Sequence, residues 1–129
     1  MSEAIEGRRQ ARVEAMLAAL MKKDRKAFLK YFSPELLYKV GAADPVHGPE
    51  ACWNVLAGIY TKLEPTAHDV RGTWEIGNVV IVEMDANYVA LEEGRRPVVV
   101  PCCDVYRFEG DLIKEWRVYP DASRTGIRV

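Results

Sequence analysis

The apolar positions of this chain follow two different periods. Val13, Met16, Leu17 and Leu20 recur at i, i+3, i+4 and i+7. That is the stripe of an amphipathic helix, predicted from about Ser2 to Lys22. Asp24 can cap a second short helix carrying Ala27, Phe28, Tyr31 and Phe32. Ser33-Pro34-Glu35 breaks it, and Leu36–Val40 is apolar enough for a short strand. Residues 41–48 (GAADPVHG) are rich in turn formers. Pro49 suits the first turn of a third helix. On it Cys52, Leu56, Ile59 and Leu63 make one stripe, with Trp53 and Tyr60 beside it, and Pro65 ends it.

After residue 66 the period becomes two. His68–Ile76, Val79–Leu91, Pro97–Phe108 and Leu112–Tyr119 read as strands. Gly77-Asn78, Glu93-Gly94 and Glu109-Gly110-Asp111 are turn sequences between them. Helices followed by an antiparallel meander is an α+β pattern. Alternation assigns the faces. Val80, Val82, Met84, Ala86 and Tyr88 should point inward, as should Val98, Val100, Cys102, Asp104, Tyr106 and Phe108. On the last strand Trp116, Val118 and Pro120 do so. A bulge would invert such an assignment locally.

Composition narrows the class. The 129 residues suit one domain over residues 1–129. The 18 basic and 19 acidic residues give a net charge of −1, without the basic excess of a nucleic-acid binder. The longest apolar runs fall far short of the ~20 residues of a membrane span. The first residues carry no secretory h-region, so a cytoplasmic protein is expected. Cys52, Cys102 and Cys103 are odd in number with no CxxC spacing, which favours free thiols. His47 and His68 have no ligand spacing to them, so neither metal nor cofactor is expected.

Asp104 departs from this pattern as the one charged residue on the inward face of the last three stretches. A buried carboxylate must find a partner, take up a proton, or line a cavity holding water or ligand. Desolvation raises its pKa, and a neutral carboxylic acid can donate a hydrogen bond to a developing oxyanion. The alternative is an Asp bonded to a buried Tyr, Trp or backbone amide.

The segments ALMKKDRKAFLKYFSPELLY, VHGPEACWNVL, VVVPCCDVYRFEG and LIKEWRVYPD, in this order and spacing, resemble the nuclear transport factor 2-like superfamily. Within it the chain looks most like the SnoaL-like polyketide cyclase and ketosteroid isomerase group, from about Ala11 to Ser123. The resemblance implies a cone-shaped, cystatin-like roll: three N-terminal helices on a curved, mainly antiparallel sheet. In DVYRFEG, Asp104 matches the isomerase Asp that hydrogen-bonds the substrate oxyanion. The isomerase general base falls near Lys39, and the oxyanion-hole Tyr of the first helix falls on Met16. A catalytic Asp of the limonene-epoxide-hydrolase-like enzymes falls on Val118. The known steroid-isomerase constellation is therefore not complete here. Asp121, in YPD, matches an end-of-strand Asp of the SnoaL-like motif, though a turn role is expected for it.

Replacements come from the chain's own residues. Catalytic candidates are Asp104, His47 in the loop before the third helix, Tyr60 as a hydroxyl donor, and Lys39 as ion-pair partner or base. Candidate substrate contacts are Met16, Trp53, Leu56, Trp74, Met84, Cys102, Trp116 and Val118, with the three tryptophans as a possible cage for a flat ligand. Val79, Ile81, Val89, Val99, Val105 and Tyr119 point outward, which suits a homodimer through the outer sheet face. The leading expectation is a small cofactor-free enzyme that isomerises, dehydrates or cyclises a small hydrophobic carbonyl compound. The alternatives are a non-catalytic binder of a hydrophobic ligand and a dimeric interaction module.

Overall fold

The first helix, α1 (Arg8–Met21), buries Val13, Met16, Leu17, Ala19 and Leu20 along the stripe read from the sequence. The computed structural model describes residues 7–92 and 94–125, so the part of this expected helix before residue 7 lies outside the described residues. Asp24 caps α2 (Arg25–Leu29) by accepting the Ala27 N–H at 3.1 Å. This helix is shorter than expected. Tyr31 and Phe32 lie beyond it, and Phe32 begins β1 (Phe32–Val40). Ser33-Pro34-Glu35 therefore sits inside a strand rather than breaking a helix. The register of β1 shifts between Phe32 and Leu37, and the irregularity accommodates Pro34, which has no N–H to give a ladder.

The turn-rich segment holds a two-residue strand, β2 (Val46–His47), antiparallel to β1. Gly48 then takes φ +92, and a Cβ there would meet the Pro34 carbonyl oxygen at 3.8 Å. This positive φ delivers the chain into α3 (Pro49–Tyr60), with Pro49 in its first turn. Leu63 and Pro65 do not belong to this helix. They open β3 (Leu63–Ile76), which pairs in an antiparallel meander with β4 (Val79–Ala90), β5 (Arg96–Glu109) and β6 (Leu112–Pro120).

One six-stranded sheet results, in the order β2-β1-β6-β5-β4-β3. All neighbours are antiparallel except β1 and β6, which run parallel with Tyr38 opposite Trp116. The core lies between the helices and the concave face, so the architecture is α+β with three helices on a curved sheet. Curvature is concentrated at irregularities. Relative to β4, one residue is extra at Thr66 and another at Arg71. Each bulge sharpens the local twist and exchanges the faces of the residues beyond it.

The second bulge decides where Trp74 goes. His68 pairs with inward Ala86 and Val70 with inward Met84, but Gly72 pairs with outward Glu83 and Trp74 with outward Ile81. Trp74 is consequently half exposed on the outer face. Its indole lies over Gly72, where a Cβ would stand 2.5 Å from the ring. The same inversion brings Ile76 to the outer face beside Val79, which adds to the outward set read from the sequence. No helix among the described residues is long and apolar enough to cross a membrane.

Candidate functional site

Asp104 sits on β5 opposite inward Val82 on one side and Val118 on the other. It is 4 % exposed. Three side chains donate to it, all from the inward set. The Tyr106 hydroxyl reaches Oδ2 at 2.9 Å and the Trp116 indole N–H reaches the same oxygen at 3.2 Å. The Cys102 thiol reaches Oδ1 at 3.0 Å. Residues two apart on a strand share a face, which brings Cys102 and Tyr106 to Asp104. Trp116 arrives from β6 as the register partner of Tyr106.

Electrostatics at this carboxyl are a contest. Burial pushes its pKa above the ordinary carboxylate range, while the bonds from Cys102, Tyr106 and Trp116 pull it down, and burial prevails. The donors are neutral, and Tyr106 and Trp116 can bond the carboxylic acid as well as the carboxylate. Their preference for the charged form is therefore modest. An oxygen of this kind accepts about two hydrogen bonds. Oδ2 already has two and Oδ1 has one, so the open position on the carboxyl belongs to Oδ1.

That carboxyl lines a cavity of about 90 Å³ between the helices and the sheet. Leu17 and Leu20 of α1, Leu56 and Tyr60 of α3, and Met84, Cys102, Trp116 and Val118 of the sheet form much of its wall. A cavity of about 150 Å³ is what admits benzene. The space here is smaller than that.

The structure brings together Asp104, Tyr60, Leu56, Met84, Cys102, Trp116 and Val118 at this cavity, and places the other candidates elsewhere. Lys39 lies between Tyr38 and Val40, both of which line the cavity, so strand alternation turns Lys39 to the opposite face. His47 is exposed on the edge strand β2. Met16 is fully buried in packed core, while Leu17 and Leu20 supply the cavity wall from α1. Trp53 packs on Phe28 with ring centroids 5.1 Å apart and lines a neighbouring hollow with Lys23 and Ala57, which shares Leu20, Leu56 and Tyr60 with the cavity. With Trp74 on the outer face, the three tryptophans do not form one cage. Asp121 accepts the Ser123 N–H at 3.1 Å in a turn, and the Ser123 side chain first, then this N–H, hold its carboxyl below the usual range.

Three titratable cavity residues were not singled out as site residues from the sequence: Tyr38, Tyr88 and His68. Tyr88 was already in the inward set of β4, and Tyr38 shares its parity with Val40, so strand alternation could have found both. Among the described residues, no side chain bonds the hydroxyls of Tyr38, Tyr60 or Tyr88, or the His68 imidazole. None of these polar atoms is sealed from solvent or cavity. Burial first, and the Asp104 charge among the further causes, raises all three tyrosines. Burial lowers His68, which favours the neutral imidazole. Among the described residues, no group of three or more His, Cys, Asp or Glu side chains could hold a metal ion.

Known structures share this architecture. An NTF2-like protein of unknown function from Burkholderia pseudomallei superposes with a TM-score of 0.81 at 15% identity, over 90% of this chain and 92% of that one. A hypothetical protein with a ketosteroid isomerase-like fold from Catenulispora acidiphila, in complex with trimethylamine, gives 0.73 at 20% identity, over 84% and 83%. An LEH-like epoxide hydrolase from M. tuberculosis gives 0.76 at 19% identity, over 92% and 86%. No curated protein matches the chain in sequence. The model of the SnoaL-like domain matches residues 13–116, most of the chain, and on that match the protein belongs to the SnoaL-like family.

Proposed function

We propose that this protein performs cofactor-independent acid–base chemistry on a small hydrophobic carbonyl compound, an isomerisation, dehydration or cyclisation. The observation that carries the reading is the buried Asp104 carboxyl at the cavity, with Oδ2 saturated by Tyr106 and Trp116 and one position open on Oδ1. In its neutral form Asp104 donates from Oδ1 to the substrate carbonyl oxygen. The donor stabilises the negative charge that collects on that oxygen as a water molecule or buffer base entering the cavity takes the proton from the adjacent carbon. The Tyr60 hydroxyl, on the same cavity and without a side-chain partner among the described residues, is a second donor. The wall around the carboxyl is mostly apolar, which strengthens both bonds.

The test needs no knowledge of the natural substrate. Exchange of the α-protons of 2-octanone in D2O, followed by proton NMR, reads enolisation directly. Wild type should accelerate exchange, and Asp104→Asn should reduce the protein-dependent rate by about 10²-fold or more. Exchange at the buffer rate with wild type, or equal exchange by Asp104→Asn, would sink the reading.

A second reading is a non-catalytic binder. The small cavity volume favours it, as does the trimethylamine held by the Catenulispora protein of like fold. We also propose that two copies associate through the outer sheet face, where Trp74, Ile76, Val99 and Tyr119 are exposed and Val79, Ile81, Val89 and Val105 are half-buried.

A further inference from the structure

Tyr106 is fully buried, and its hydroxyl donates to Oδ2 of Asp104. It is not part of the cavity wall, whereas Cys102, which donates to Oδ1, lines the cavity. Oδ2 is thus held from the packed core and Oδ1 stands on the Cys102 side. The phenol is fixed by its strand and by packing. Tyr106 lies two residues beyond Asp104 on β5 and stacks on its register partner Trp116, with ring centroids 5.2 Å apart. Trp116 packs in turn on Tyr38 of β1 at 4.8 Å. Both donors to Oδ2 are therefore carried on packed rings.

A neutral carboxylic acid carries its proton on one oxygen, and the choice decides where it can donate. A proton on Oδ2 meets the Trp116 indole N–H, which donates and cannot accept. It also meets the Tyr106 hydroxyl. For that hydroxyl to accept, its own hydrogen must give up Asp104, its one hydrogen-bond partner among the described residues, in a fully buried position. A proton on Oδ1 leaves both bonds intact. Two donors on one oxygen also set the plane of the carboxyl, because donors favour the lone-pair directions in that plane. They polarise the group as well, which makes the O–H on the other oxygen a stronger donor.

We propose that Tyr106 is a positioning residue for the chemistry at Asp104: together with Trp116 it keeps Oδ2 an acceptor, so that the acid proton stands on Oδ1 and is aimed at the substrate carbonyl. This rests on the acid–base reading of Asp104 and adds what orients its proton. The titratable groups that share the cavity or the bond network with Asp104 are Cys102 and Tyr106 on β5, Tyr38 on β1, Tyr60 on α3, Tyr88 on β4 and His68 on β3. Burial raises the thiol and the tyrosines and lowers the imidazole. Activity that falls as pH rises from the ordinary carboxylate range therefore reports Asp104.

Tyr106→Phe removes the hydroxyl and keeps the ring. Exchange of the protons of acetone in D2O, followed by NMR over a series of pH values with the full chain, gives the ratio of variant to wild-type rate, in which the buffer cancels. In acid, where both carboxyls are neutral, the variant should be about tenfold slower, the loss of one hydrogen bond. The ratio should then rise with pH. The hydroxyl favours the charged form of Asp104, so without it the carboxyl keeps its proton to higher pH than in wild type. Trp116→Phe removes the other donor to Oδ2 and should give the same rise, which keeps the test open if Tyr106→Phe does not fold. Equal rates, or a slower variant whose ratio is flat or falls with pH, would overturn the proposal, since lost packing alone gives no rise. If wild type shows no protein-dependent exchange, the Asp104 chemistry falls and the role of Tyr106 with it. If Asp104→Asn abolishes wild-type exchange but the ratio does not rise, the Tyr106 assignment alone falls.

Discussion

Replacing Asp104 with Asn separates the two forces that act on this carboxyl. The amide is nearly isosteric. Its oxygen can take the Oδ2 position and accept from Tyr106 and Trp116, and its NH2 can face the Cys102 sulfur, a weak acceptor. What changes is the charge. A hydrogen bond to an ionised group is worth ~1.5–3 kcal/mol, about twice a neutral one. The preference of three neutral donors for the carboxylate over the acid is therefore ~3 kcal/mol in all. The effective cost of burying the charge is several kcal/mol. Burial wins, and the folded-state pKa is raised. The linkage sign follows. A raised carboxyl contributes stability that is fully present below its unfolded pKa and is lost as pH rises through the folded value. Each unit of that rise corresponds to about 1.4 kcal/mol, or about 3–5 °C of Tm in a domain of this size. Urea unfolding of wild type and Asp104→Asn at a series of pH values reads the difference, and titration common to both proteins cancels. The variant should be least favourable in acid and gain on wild type as pH rises from the ordinary carboxylate range towards neutral. A variant that instead loses ground as pH rises would refute the reasoning, because the three donors would then outweigh burial.

Two further outcomes follow from the outer face. Gly72→Ala should destabilise by about 1 kcal/mol, since its Cβ would stand 2.5 Å from the Trp74 ring and must displace it; unchanged stability with unchanged Trp74 fluorescence would contradict that placement. Light scattering should give a dimer for wild type and a monomer for Trp74→Glu, which puts a charge in the exposed apolar face; a monomeric wild type would remove the proposed association.

Alternation carried most of the sheet because charged or amide residues mark the outward parity of each strand: Glu83, Asp85 and Asn87 on β4, Arg107 on β5, Glu115 and Arg117 on β6. The same rule marked Asp104 as a charge on the wrong side and placed Tyr106, Trp116 and Cys102 with it. The failures are local and physical. Trp74 and His68 are both even-numbered residues of one strand, yet the bulge at Arg71 sends them to opposite faces. Nothing in VRGTW fixes a bulge at that residue, and a single extra residue reverses every side chain after it. The β1–β6 pairing joins distant segments in parallel, which local pattern does not report. Phe32 reads as helical by spacing, yet it stacks on Trp116 with ring centroids 6.0 Å apart, so tertiary packing set its place. Lys39 and His47 matched positions or chemistry in a line of sequence, but strand parity and an exposed edge put them away from the cavity.

The central claim is that a substrate carbonyl is polarised by Asp104. The carbonyl carbon of 2-octanone labelled with carbon-13 at that position reports it directly by NMR. Bound to wild type, the signal should move downfield as the oxygen accepts a hydrogen bond, and bound to Asp104→Ala it should return towards the free value. A bound ketone whose carbonyl signal is unshifted, or a shift that survives Asp104→Ala, would contradict the account.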